Sequence, residues 1–176
     1  MKFQKTFHFD SPLWSNRNSF NLEGGKTGFD TQETKLPTYW NTPFSKICVG
    51  MRIGHQIKFL AINKHANSLF SLIADSHFRA TTLGHNAWMT LIGSQSILQP
   101  KCNKEGFNAE SRSRFYSRAR IGVISDNSDY CGSCDSRIGF GTGGSPDNSN
   151  TCGNEAKTRG DNRAQHIKAM GYILVQ

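Results

Sequence analysis

Alternation of apolar and polar side chains predicts a fold of short strands. Phe3, Phe7 and Phe9 stand on odd positions between Lys2 and Phe9 with polar residues around them, the two-residue period of a half-buried strand. Asp10, Ser11 and Pro12 then turn the chain, Trp14 enters the core, and residues 16–30 read as a long loop. Ile47 to Arg52 is a strand with Ile47 and Val49 on one face and Cys48 on the other. Ile57 to Ile62, nearly all apolar and rich in β-branched and aromatic residues, predicts a buried strand. Only two segments have helical spacing. Ser68 caps one that carries Leu69, Leu72 and Ile73, and the turn near Asn86 starts one that carries Trp88, Leu91 and Ile92.

Further along, Cys102 to Asn108 reads as a polar turn around Gly106, and Arg112 to Arg120 as a strand that sets Arg112, Arg114, Tyr116, Arg118 and Arg120 on one face. Ile121, Val123 and Ile124 continue it into the core. Residues 131–155 are so rich in Gly, Asn, Asp and Ser that they predict a loop cluster, interrupted only by a short strand from Ile138 to Phe140. Something other than a core must hold such a segment: disulfides, a metal ion or an ordering ligand. Ile167 to Val175 closes the chain as a well-paired central strand. The expected fold class is α+β, one domain over residues 1–176, mostly antiparallel sheet with short helices and long disulfide-stapled loops.

Composition narrows the function classes. No run of 18 apolar residues exists, and the first residues have no continuous apolar stretch of the signal-peptide kind. Lys plus Arg number 21 against 13 Asp plus Glu, a formal charge of +8 that favours anionic partners without choosing among them. Arginines alternating with an aromatic suit a phosphate backbone, a sulfate or carboxylate, or simply a solvated strand edge. Five cysteines, Cys48, Cys102, Cys131, Cys134 and Cys152, fit two disulfides plus a spare thiol that could link chains; reduced cysteines are the alternative. Cys131 and Cys134 have redox-pair spacing but no helix follows them, and the zinc-ribbon pattern lacks its second knuckle.

No GxSxG, HExxH, phosphate-loop or dinucleotide fingerprint is present, and the six histidines are scattered without ligand spacing. Asp126, Asp129, Asp135, Asp147, Asn148, Asn150, Asn154, Glu155 and Asp161 concentrate hard oxygen donors in one third of the chain, as a calcium site requires, although turns use the same residues.

Leu13-Trp14-Ser15-Asn16, Glu33 to Pro37, Tyr39 to Phe44, Cys102 to Asn108, Asp135 to Gly141 and Met170 to Val175, taken in order, resemble secreted fibrinogen-related, intelectin-like domains of marine invertebrates, cnidarians especially. The resemblance implies a fibrinogen C-terminal-like, extracellular, disulfide-bonded α+β module that binds glycans or acetylated groups, often with calcium. The Gly-Gly-Trp segment that opens such domains is absent, which implies a truncated copy. On this reading the chain is no enzyme. Glycans or glycoproteins, anionic ones included, are its expected partners, through Arg112, Arg114, Tyr116, Arg118, Tyr130 and Phe140. Asp126, Asp129, Asp135, Asp147, Asn150 and Glu155 are the expected calcium ligands. A structural matrix or mucus role and nucleic-acid binding are the alternatives.

Overall fold

In the computed structural model, which describes residues 1–3, 5–157 and 163–176, the described strands form two antiparallel sheets. The first has the spatial order β1 (Lys2–Phe3), β10 (Met170–Val175), β2 (Phe44–Ile53), β3 (Gln56–Ala66). The second runs β4 (Arg79–Ala80), β5 (Lys101–Glu110), β6 (Arg118–Asp126), β7 (Ser136–Gly143), β8 (Cys152–Ala156), β9 (Gln165–Lys168). Three short helices, α1 (Thr38–Asn41), α2 (Leu69–Ile73) and α3 (His85–Met89), complete an α+β architecture dominated by sheet. No described helix is long and apolar enough to cross a membrane.

One core joins the sheets. Ile47, Val49, Met51, Ile62 and Ile173 come from the first; Phe107, Ile121, Val123, Ile138 and Phe140 come from the second. Trp14 and Trp88 are fully buried among them. Each large apolar side chain so buried stabilises the fold by about 1.5–3 kcal/mol relative to exposure. The indole N–H groups are satisfied: Trp14 donates to His8 O at 3.0 Å and Trp88 to Glu105 Oε2 at 2.5 Å.

Several sequence expectations hold. Ser68 caps α2 through its hydroxyl, which accepts from Ser71 N at 3.1 Å, and Leu69, Leu72 and Ile73 are its buried face. Cys48 is half-buried while its neighbours Ile47 and Val49 are buried, as opposite phase requires. The closing segment is interior to the first sheet, but it breaks at Ala169 so that β9 belongs to one sheet and β10 to the other.

Other expectations fail for identifiable reasons. The amino-terminal strand is only Lys2–Phe3, and of its predicted apolar row Phe7 and Phe9 are buried in a following irregular segment; the side chain of Phe3 lies outside the described residues. β3 is an edge strand, so most of its apolar residues stay partly exposed, with Phe59 at 43%. Cys102 to Asn108 is strand rather than turn. Asn108, although at φ 51°, donates through its amide to Leu72 O, Ile73 O and His77 O and accepts from Arg120, and this fixes β5 against α2. The arginine repeat is not one strand either. Residues 111–117 form the connection between β5 and β6, and the strand begins only at Arg118.

The largest revision concerns residues 131–155. About half of them are in β7 and β8, every residue of which is buried. Polar side chains there replace apolar packing with hydrogen bonds. Asn154 donates to Ile97 O at 2.8 Å and Arg137 O at 2.9 Å and accepts from Ile97 N at 2.8 Å, stitching the 97 segment to the sheet. Buried amides satisfied on both sides are tolerated in a core, whereas unsatisfied ones are costly.

Candidate functional site

The site begins with Arg137. Its side chain is fully buried on β7, and its guanidinium donates to four backbone carbonyls of the loop that follows: Gly144 and Ser145 at 3.0 Å, Asp147 at 2.5 Å and Asn150 at 3.3 Å. Burial pulls its pKa down to about 10 against the opposing pull of Glu155 and Asp147, so it stays charged at neutral pH. Five donors in a planar fork match this fan of acceptors as no other side chain would. Thr142 Oγ1 adds a bond to Asn150 O at 2.5 Å, and Asn148 Oδ1 accepts from Gly144 N at 2.6 Å.

The loop held in this way presents Asp147 to the β8–β9 hairpin. Glu155 and His166 are cross-strand partners in that hairpin. His166 Nδ1 lies 2.6 Å from Glu155 Oε1 and 3.4 Å from Asp147 Oδ2, and the three groups offer ligand atoms all within 4.8 Å of one another. Asn150 Nδ2 donates to Glu155 Oε1 at 2.5 Å. Burial raises the Glu155 pKa, opposed by that hydrogen bond and by Arg137 and His166.

A cavity of about 370 Å³ adjoins the cluster, lined by Lys5, His8, Ser149, Asn150, Thr151, Cys152 and Lys168. Asn150 and Lys168 belong to both: Lys168 Nζ lies 3.7 Å from Asp147 Oδ2 and bonds Ser149 Oγ at 3.1 Å. His8 Nε2 meets Asn148 Oδ1 at 3.0 Å. Two lysines and a histidine around a cavity beside two carboxylates give adjoining subsites, one that draws anions and one that draws cations.

Two carboxylates and an imidazole fit a divalent cation. Calcium takes about six to eight oxygens, so the remaining positions would fall to water or to ligand hydroxyls. The same donors suit zinc or manganese. Glycine geometry keeps the cluster together. Gly153 has φ 136°, and a Cβ there would lie 2.0 Å from Ile167 O, across the strand pair that carries His166. Gly153→Ala is expected to unpair β8 from β9 and lower the melting temperature, as thermal melts would show.

Of the expected calcium ligands, Asp147, Asn150 and Glu155 converge and the others do not. Asp126 is buried at the end of β6, where it accepts from Asn127 N and Ser133 Oγ. Asp129 is exposed and pairs with Lys101 at 3.3 Å, and Asp135 is buried. Asp161 lies outside the described residues. Lys168, Lys5 and His8 carry no sequence pattern that marks them, and His166 stands out in the sequence only as a distant partner of Cys152 for zinc. The signal that points to His166 is the pairing of residues 152–156 with residues 165–168, with the turn-type dipeptide Gly160-Asp161 in the sequence between them.

The expected ligand-binding row also disperses. Arg118 is buried, forked onto Asp10 at 2.9 and 2.7 Å and lying 4.6 Å from the Phe9 ring centre. Arg120 donates to Phe9 O, Ser76 Oγ and Asn108 Oδ1. These two are internal clamps, because the strand that carries them is covered on both faces. Phe140 is in the core and has no surface on which a sugar could stack. Arg112, Arg114 and Tyr130 are exposed and Tyr116 is half-buried; Arg112 lies 4.6 Å from the Tyr130 ring centre.

Two disulfides were expected and one forms, Cys102–Cys131. Cys48 and Cys152 lie on strands of different sheets and remain thiols, as does Cys134. No family model, characterised protein or solved structure matches the chain.

Proposed function

We propose that the chain is a secreted, non-enzymatic recognition domain of fibrinogen C-terminal-like type that binds acidic glycans at the Asp147–Glu155–His166 cluster and its adjoining cavity. The observation that carries this reading is the convergence of two carboxylates and an imidazole beside a cavity lined by Lys5, His8 and Lys168. A divalent cation held by Asp147, Glu155 and His166 would take sugar hydroxyls in its open positions, and the lysines would meet a carboxylate or sulfate on the same ligand. The Arg137 fan supports the reading by fixing the loop before any ligand arrives, which lowers the ordering cost of binding.

The test is a glycan array of neutral, carboxylated and sulfated sugars, read with calcium and with chelator. Saturable binding to acidic glycans that falls at least about tenfold with chelator is expected. Absence of binding in both conditions overturns the reading. Binding that survives chelator but vanishes with salt removes the cation and leaves the lysines, and a steep salt slope on nucleic acid would replace the reading altogether.

A structural matrix role has one observation in its favour. Cys48 is a half-buried thiol on β2 paired opposite Leu174, itself 42% exposed, so a linkage between chains there is within reach. It predicts oligomers that reductant dissolves and no saturable ligand.

A further inference from the structure

Cys102, Cys131 and Cys134 place three sulfur atoms within 4.8 Å of one another, and only two are bonded. The Cys134 thiol lies 3.3 Å from Cys102 Sγ, beside the bridge that Cys102 makes to Cys131. Access to the three differs. Cys102 and Cys134 are buried, whereas Cys131 is half-buried and follows four exposed residues, Asn127 to Tyr130. The turn is pinned to the 111–117 connection by backbone bonds, Arg112 N to Cys131 O at 3.1 Å and Ser117 N to Cys134 O at 2.8 Å.

We propose that this cluster is a thiol–disulfide exchange site in which Cys134 displaces Cys131 from Cys102, making Cys131 a modification site for low-molecular-weight disulfides. Cys134 gives its proton to water and its thiolate attacks Cys102 Sγ. The Cys102–Cys134 bond forms as the Cys102–Cys131 bond breaks, and the electron pair leaves with Cys131 as a thiolate. This internal step oxidises and reduces nothing; in the next one Cys131 is oxidised and the disulfide RSSR is reduced. The Cys131 thiolate then attacks a disulfide RSSR, forming Cys131–S–SR and releasing RS⁻.

Position decides which sulfur is which. Cys102 is central because the unbonded sulfur touches it, and Cys131 is the leaving group because it is the third member. Release puts the new thiolate on the half-buried Cys131, next to the exposed residues Asn127 to Tyr130, where it is reachable. Burial pushes the Cys134 thiol up to about 11, so the exchange is slow at neutral pH and capture by RSSR draws it forward. Cys48 and Cys152 do not compete: Cys152 is fully buried, and Cys48 sits mid-strand on the other sheet.

The experiment incubates the oxidised full chain with oxidised glutathione, alkylates the remaining thiols, digests without reduction and maps every linkage by mass spectrometry. Glutathione on Cys131 together with a Cys102–Cys134 crosslink is expected. Cys134→Ser should cut the Cys131 adduct at least about tenfold while Cys48→Ser leaves it unchanged. An intact Cys102–Cys131 bridge throughout, or a Cys131 adduct undiminished in Cys134→Ser, overturns the proposal. Should Cys134→Ser fail to fold, the presence or absence of the Cys102–Cys134 crosslink in the unaltered chain decides.

Discussion

Arg137→Met is expected to lower the unfolding free energy by about 3 kcal/mol and to abolish binding at the proposed site with it. The substitution keeps a long side chain in a fully buried position but removes every donor. Four carbonyls, of Gly144, Ser145, Asp147 and Asn150, then lose the guanidinium; Ser145 O, Asp147 O and Asn150 O keep bonds from Ser117 Oγ, Asn150 N and Thr142 Oγ1, so the loss falls hardest on Gly144 O. Each buried acceptor left without a partner costs about 1–3 kcal/mol, moderated where water enters the opened loop. Gained apolar contact and relief of the guanidinium's desolvation are the offsets. Arg137→Lys recovers little, because one ammonium cannot reach the whole fan with its three donors. Urea denaturation gives the stability loss directly. A change below about 1 kcal/mol would mean that the loop holds itself and that the buried arginine does not organise the site.

Glu155→Gln is expected to leave the fold standing and to weaken cation binding at the proposed site by at least about 100-fold, on the order of 3 kcal/mol. The amide keeps the shape and an acceptor for Asn150 but carries no charge. Two effects on stability oppose each other: a buried carboxylate no longer has to be desolvated, while Arg137 and His166 lose a neighbouring anion. Their difference stays within about 1 kcal/mol, so binding and stability separate in this variant as they do not at Arg137.

The pH dependence has a definite sign. Burial raises the Glu155 pKa above its unfolded value, so between the two values the native state binds the extra proton. That contribution to stability is present below the unfolded pKa and is lost as pH rises through the folded one. A cation binds only the ionised carboxylate, so its stabilising effect runs the other way. At the proposed site, the melting-temperature increment from calcium or zinc should grow as pH rises through the folded Glu155 pKa and be flat in Glu155→Gln. An increment that falls with pH would place the cation elsewhere.

How much of this was legible depended on range along the chain. The Ser68 cap and the phase of Cys48 are local matters, settled by a hydroxyl three residues from an amide and by the alternation of a strand. Residues 131–155 misled because their composition is that of a loop. Glycine and asparagine lower strand propensity, yet β7 and β8 lie inside a sheet, where satisfied polar side chains do the work of apolar ones. The arginine repeat misled in the opposite direction. Its spacing was that of a strand face, but the chain turns at residues 111–117, and Arg118 and Arg120 point into partners from residues 9, 10, 76 and 108.

By itself the sequence determined the class, a sheet-rich α+β chain with a positive surplus and a concentration of oxygen donors late in the chain, because composition and short-range periodicity carry those facts. Tertiary structure alone decided which donors meet. Asp147, Glu155 and His166 are brought together by the register of β8 on β9 and by an arginine buried beneath the loop. Cys134 is set against a bridge whose halves are 29 residues apart. Both arrangements depend on strand pairing between distant segments, and no spacing along one segment encodes the partner that another will supply.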